Sequence, residues 1–142
     1  AVTWSFISAA EADAVGGVHW VLANPISEDL KVMRPSLLPG LLSAVRRNLD
    51  RGASSVRLFE IGRRYLAEGE RPSLVVVLAG EQAPRDWQAG KAQAFDAFDA
   101  KADVMALLAG LGVPVGGLQV VAGGPDWAHP GRSATLTFNA KF

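Results

Sequence analysis

Apolar and polar positions change period several times along this chain, and the changes mark out strands and helices with no internal repeat and no low-complexity linker. Residues 2–7 alternate as a strand does. Ser8 with Glu11 three positions later then forms a capping box for a short helix through Ala14, which Gly16 and Gly17 stop. Residues 18–23 are a second predicted strand, closed by the Asn24-Pro25 turn. Ser36 caps a helix whose Leu37, Leu38, Leu41, Leu42, Val45 and Leu49 share one face. Pro39 is tolerated there because first-turn N–H groups have no intrahelical partner. Arg46, Arg47, Asp50 and Arg51 occupy the opposite face, and Gly52 is the stop.

Residues 56–66 form a long predicted strand in which Leu58 and Ile61 break strict alternation, so a bulge or bend is expected near Gly62. Residues 74–80 are almost continuously apolar, as expected for a strand in the middle of a covered sheet. A polar loop carrying Trp87 leads through residues 95–98 into a helix from about Ala100 to Leu111, with Val104, Met105, Leu107, Leu108 and Leu111 on its core face and Gly112 as its stop. Residues 119–122 and 134–138 complete the strand set, separated by the loop at 127–133. Strands joined partly by short turns and partly by helices predict an α+β fold with a mainly antiparallel sheet flanked by helices.

Composition narrows this little. A chain of 142 residues with 49% hydrophobic and 20% charged positions belongs with folded globular domains rather than disordered segments. The apolar run at 74–80 is too short to span a bilayer, and residues 1–7 alternate without the basic start of a secretory signal. There is no cysteine, so disulfide and thiolate chemistry are excluded from these residues. The chain begins with Ala1 rather than methionine and stops shortly after the last predicted strand, which gives it the character of an excised piece.

Net charge is zero, but the signs are segregated. Residues 1–30 hold four acids and no Lys or Arg, whereas residues 31–64 hold Lys31, Arg34, Arg46, Arg47, Arg51, Arg57, Arg63 and Arg64 against Asp50 and Glu60. Such a middle section faces either nucleic acid or an acidic partner, or it is a solvated face with local ion pairs.

Catalytic signatures are lacking. His19 stands in a predicted strand, where a packed or edge histidine is the ordinary case. His129, Pro130, Gly131 and Arg132 put an imidazole, a glycine-freed backbone and a guanidinium together; this loop either holds an anion or is a simple ordered turn. Glu28 and Asp29 supply too few oxygen ligands for a hard cation and are expected to answer Lys31 or Arg34. No nucleophile elbow, phosphate loop or dinucleotide fingerprint occurs, and two histidines so far apart make no metal motif.

The most particular stretch is Asn24-Pro25-Ile26-Ser27-Glu28-Asp29-Leu30, continued as Arg34-Pro35-Ser36-Leu37-Leu38-Pro39-Gly40-Leu41-Leu42, in which rigid turns, a buried-looking arginine and a helix start are combined. Together with Val2-Thr3-Trp4-Ser5-Phe6, Arg57-Leu58-Phe59-Glu60-Ile61-Gly62-Arg63 and His129-Pro130-Gly131-Arg132-Ser133-Ala134, it resembles the beta subunit of bacterial phenylalanyl-tRNA synthetase. Phe98-Asp99-Ala100-Lys101 before Asp103-Val104 is similar to that family's F-D-x-K-G-D-V helix start, with Ala102 where glycine is usual.

The resemblance implies that residues 1–142 are one truncated class II aminoacyl-tRNA synthetase-like core domain. It also implies a non-catalytic role in the ligase that attaches phenylalanine to tRNA, with a catalytic alpha subunit as partner in a cytoplasmic heterotetramer. The whole enzyme would use ATP and magnesium and meet tRNA(Phe), while these residues would hold no cofactor, metal or catalytic group. Against the alpha-type pattern G-R-V-Y-R, Gly62-Arg63-Arg64-Tyr65-Leu66 places leucine where an ATP-clamping arginine would stand. Arg34, Leu37, Leu41, Arg63, His129 and Arg132 are then candidates for subunit-interface or structural roles. Two alternatives are a small enzyme that uses the loop from His129 to Arg132 with Glu60 or Asp126, and a direct tRNA-binding surface on the basic middle.

Overall fold

Thr3 spends its backbone and hydroxyl hydrogens on a side chain of a distant strand, so the first strand is shorter than its alternation predicts. In the computed structural model, which describes residues 1–88 and 90–138, β1 is only Phe6–Ile7. Helix α1 (Ala9–Asp13) follows with the expected capping box between Ser8 and Glu11. Residues 18–23 do not become a full strand. Leu22 donates to the Lys31 carbonyl and Met33 to the Trp20 carbonyl, leaving a single bridge of Val21 to Val32. That bridge flanks β2 (Val32–Met33), which pairs antiparallel with β1, and Ile7, Ala12 and Val32 form a small buried cluster around them.

Helix α2 (Leu38–Asp50) begins slightly later than the sequence suggests, because Ser36 Oγ accepts the N–H of Leu38 from outside the cap position, held by Leu37. Leu37, Leu41 and Val45 are buried, whereas Leu42 and Leu49 stay exposed. The helix lies against β3 (Ser55–Leu66) and β4 (Gly69–Ala83), an antiparallel ribbon with unbroken register from Ser55 opposite Gly80 to Leu66 opposite Gly69.

There is accordingly no bulge near Gly62. The period of two is kept, but polarity is inverted along it: Val56 and Glu60 are buried, while Phe59 and Ile61 are exposed, Ile61 by 74%. Leu74 and Val76, opposite Ile61 and Phe59, are also exposed, so among the described residues β4 is not the covered central strand its apolar run predicts. The irregularity falls instead between Glu81 and Ala83, where β4 pairs with β5 (Gln93–Ala94). Gly80 sits at φ +83° with the Ser54 carbonyl so close that a Cβ would collide with it.

The chain divides into two compact units, Ala1–Phe95 and Asp96–Phe142. In the second, Asp96 accepts the N–H groups of Phe98 and Asp99 at 2.7 and 3.1 Å, while Asp99 accepts that of Asp96, so α3 (Ala97–Gly110) starts three residues ahead of expectation. Strands β6 (Leu118–Ala122) and β7 (Ala134–Phe138) form an antiparallel pair. None of the described residues of this unit is buried, including the face of α3 predicted to enter a core. The fold is α+β with antiparallel sheets and three α-helices among the described residues. No helix there is long and apolar enough to cross a membrane.

Candidate functional site

The site that the sequence points to is built around Arg34, whose side chain is buried beside Gly62 of β3. Arg34 is 5% exposed and Glu60 2%. Arg34 Nη1 donates to Glu60 Oε1 at 2.8 Å, to Thr3 Oγ1 at 2.9 Å and to the Thr3 carbonyl at 3.3 Å, while Nε donates to the Arg63 carbonyl at 3.1 Å. Thr3 completes the set by donating its hydroxyl to Glu60 Oε2 at 2.7 Å and its N–H to Oε1 at 3.2 Å. Backbone bonds extend the clamp, from Arg34 N–H to the Ser5 carbonyl and from Tyr65 N–H to the Arg34 carbonyl, each 2.9 Å.

Two glycines make the room. A Cβ on Gly62 would stand 2.6 Å from Arg34 Nη2 and 3.1 Å from Leu37 Cδ2, and one on Gly40 would meet the side chain of Thr3. Burial raises the Glu60 pKa, but the bonds from the Thr3 hydroxyl, Arg34 and the Thr3 N–H, with the positive charge of Arg34, together outweigh it and hold the carboxyl below its ordinary range. The result is a buried ion pair whose carboxylate is held in its charged form at neutral pH. These bonds run among Arg34, Glu60, Thr3 and neighbouring backbone carbonyls.

The other sequence-predicted residues fall elsewhere. Leu37 and Leu41 are fully buried inside the first unit. Arg63 carries its carbonyl into the clamp, but its guanidinium points outward to Glu70 at 3.0 Å. His129 and Arg132 are exposed; His129 Nδ1 accepts the Gly131 N–H at 3.1 Å and its carbonyl accepts that of Arg132, which closes the loop on itself. Lys31 is answered by Glu28 at 2.6 Å, as expected, whereas Arg34 takes Glu60 rather than Asp29. Arg46 lies 3.8 Å from Asp50, and the Arg57 guanidinium is 4.7 Å from the centre of the Phe95 ring, so much of the basic middle is engaged locally.

The pairing of Arg34 with Glu60 and Thr3 is not evident from spacing. Its one sequence signal is a carboxylate at a core position of an apolar strand, two residues before a glycine that has no turn to make. Leu66, half-buried, offers only apolar side-chain atoms, and its carbonyl accepts the Trp20 indole N–H at 2.9 Å; these groups do not fit a phosphate clamp. Among the described residues no three His, Asp or Glu side chains gather where a metal ion could be held.

A family model described as the phenylalanyl tRNA synthetase beta chain CLM domain matches residues 1–142. The chain is 60% identical over 141 residues to the phenylalanine–tRNA ligase beta subunit of Zymomonas mobilis, and 63% identical over 148 residues to that of Novosphingobium aromaticivorans. It is 49% identical over 152 residues to that of Brucella abortus. Each match covers 99% of this chain but only 18–19% of the relative, so the chain spans less than a fifth of their length. With the family model matching from end to end and the Arg34 clamp built from three of the blocks that carried the resemblance, the chain belongs to the phenylalanyl-tRNA synthetase beta chain family, over its CLM domain.

Proposed function

We propose that residues 1–142 are a non-catalytic, class II synthetase-like structural domain of a phenylalanine–tRNA ligase beta subunit, which supports attachment of phenylalanine to tRNA by assembling with a catalytic alpha subunit. The observation that carries this reading is the Arg34–Glu60–Thr3 clamp, in which two charged groups of the family signature, Arg34 and Glu60, bond to each other and to Thr3 inside the first unit. Leu66 adds to it, since a leucine cannot take the bidentate role of a phosphate-binding arginine. ATP and magnesium belong to the partner in this reading, and the assembly is a heterotetramer of the cytoplasm.

Leu37 and Leu41 are buried, whereas Leu42, Leu49, Phe59 and Ile61 are among the exposed apolar side chains of the same elements that a partner could cover. Mixed with alpha subunit at high micromolar concentration, residues 1–142 are expected to co-elute with it in size-exclusion chromatography. Separate elution would remove the assembly role from this domain.

A further inference from the structure

The ribbon of β3 and β4 treats charge differently on its two faces. On one, Arg63 is answered by Glu70 at 3.0 Å. On the other, the face of Glu60 and Gly62, Arg64 stands directly opposite Arg71 and both are exposed. Residues so paired have Cβ atoms about 4.5–5.5 Å apart, and like charges in that position destabilise a sheet. No carboxylate relieves them. Glu60, the one acid of β3, is taken by Arg34 and Thr3. The Arg71 guanidinium bonds the Glu70 carbonyl at 3.4 Å, and that of Arg64 makes no bond among the described residues.

Two further donors lie on the same face. Nε and Nη1 carry the side-chain hydrogen bonds of Arg34, so Nη2 has no partner among the described residues although the side chain is only 6% exposed. Nη2 is not sealed from solvent, because Ser133 Oγ is the only fully buried side-chain N or O atom there that lacks a partner. It lies over Gly62, 2.6 Å from where a Cβ would stand, and Gly62 is directly opposite Ser73, whose hydroxyl is also unbonded among the described residues. Ser73 and Arg71 are two apart on β4, as Gly62 and Arg64 are on β3, so these donors share one end of one face.

Two uncompensated charges and donors from several side chains call for an anion with more than one charge and more than two oxygens. A carboxylate brings one charge and two oxygens, whereas a phosphate monoester brings about −1.5 to −2 and three. The geometry points to a phosphate-binding site formed by Arg64, Arg71 and Ser73, with Arg34 Nη2 at its inner end, that takes free phosphate or a phosphate monoester. This goes beyond the structural role proposed above and does not depend on assembly with another subunit.

Phenylglyoxal labelling of arginines in the full-length beta chain, mapped by peptide mass spectrometry, reads the site residue by residue. Inorganic phosphate at about 10 mM, against a Kd of about 1 mM for so open a site, should slow the labelling of both Arg64 and Arg71 about tenfold and leave Arg46 and Arg51 unchanged. Acetate and dimethyl phosphate at the same ionic strength should not protect. Protection by phosphate and phenyl phosphate would mean that an esterified group enters, and by phosphate alone that the site takes the free ion; both support the assignment. R64Q should abolish the protection of Arg71, R71Q that of Arg64, and S73A should weaken both. Labelling that phosphate leaves unchanged, equal protection by acetate or dimethyl phosphate, or R64Q in which Arg71 stays protected would overturn it.

Discussion

Glu60 keeps its charge in a nearly dry position because each of its oxygens meets a donor, and Arg34 supplies both a donor and the compensating charge. Such a pair stabilises little compared with apolar packing, but breaking it is costly because the survivor is left buried and unpaired. Arg34→Met should therefore lower the unfolding free energy by about 3–5 kcal/mol, measured by urea denaturation, and Arg34→Met with Glu60→Leu should recover part of the loss. A single-variant loss near zero would mean that the clamp is dispensable. The pH dependence has a definite sign. A carboxyl whose folded pKa is lowered contributes stability that is complete above its ordinary value of about 4.3 and is lost as pH falls through the lower folded value. Glu60→Gln should flatten that acid limb by lowering the denaturation midpoint at neutral and alkaline pH, where the charged carboxylate contributes, and should converge on the unsubstituted protein as pH falls.

At the scale of elements, the clamp depends on how closely β3 approaches α2. Gly62 has an ordinary strand backbone, so replacing it by alanine should help a strand by about 0.5–1 kcal/mol on conformational grounds. The added methyl would instead strike Arg34 Nη2 and Leu37, both held in place, so Gly62→Ala is expected to destabilise by about 1–3 kcal/mol, the cost of overpacking. A thermal melt at or above the unsubstituted midpoint would contradict this. The same strand shows what sequence reading reached and where it stopped. Helix α2, the long β3 and the Ser8–Glu11 capping box follow local rules of spacing and side-chain geometry and were legible, whereas the Asp96–Asp99 box that starts α3 was missed. The expected bulge near Gly62 was not real, because the break in hydrophobic pattern records a buried carboxylate and exposed Phe59 and Ile61, a tertiary inversion with no local signature. Arg34 was legible as an unusual residue. Its partners were not, since Thr3 lies 31 residues before it and Glu60 26 after.

At the scale of the molecule, apolar side chains left in the open are the recurring feature: Phe59, Ile61, Leu74 and Val76 on the ribbon in the first unit, and Phe98, Leu111, Val120 and Val121 in the second. The relatives that the chain matches are more than five times its length. The proposed division of labour, with architecture here and chemistry in the partner, accounts for a signature whose Arg34 and Glu60 are bonded to each other. It is tested most directly by phenylalanine-dependent ATP–pyrophosphate exchange. Purified residues 1–142 should give no exchange above background, while the same protein combined with alpha subunit and the rest of the beta chain should be active. Clear exchange by residues 1–142 alone would contradict the account.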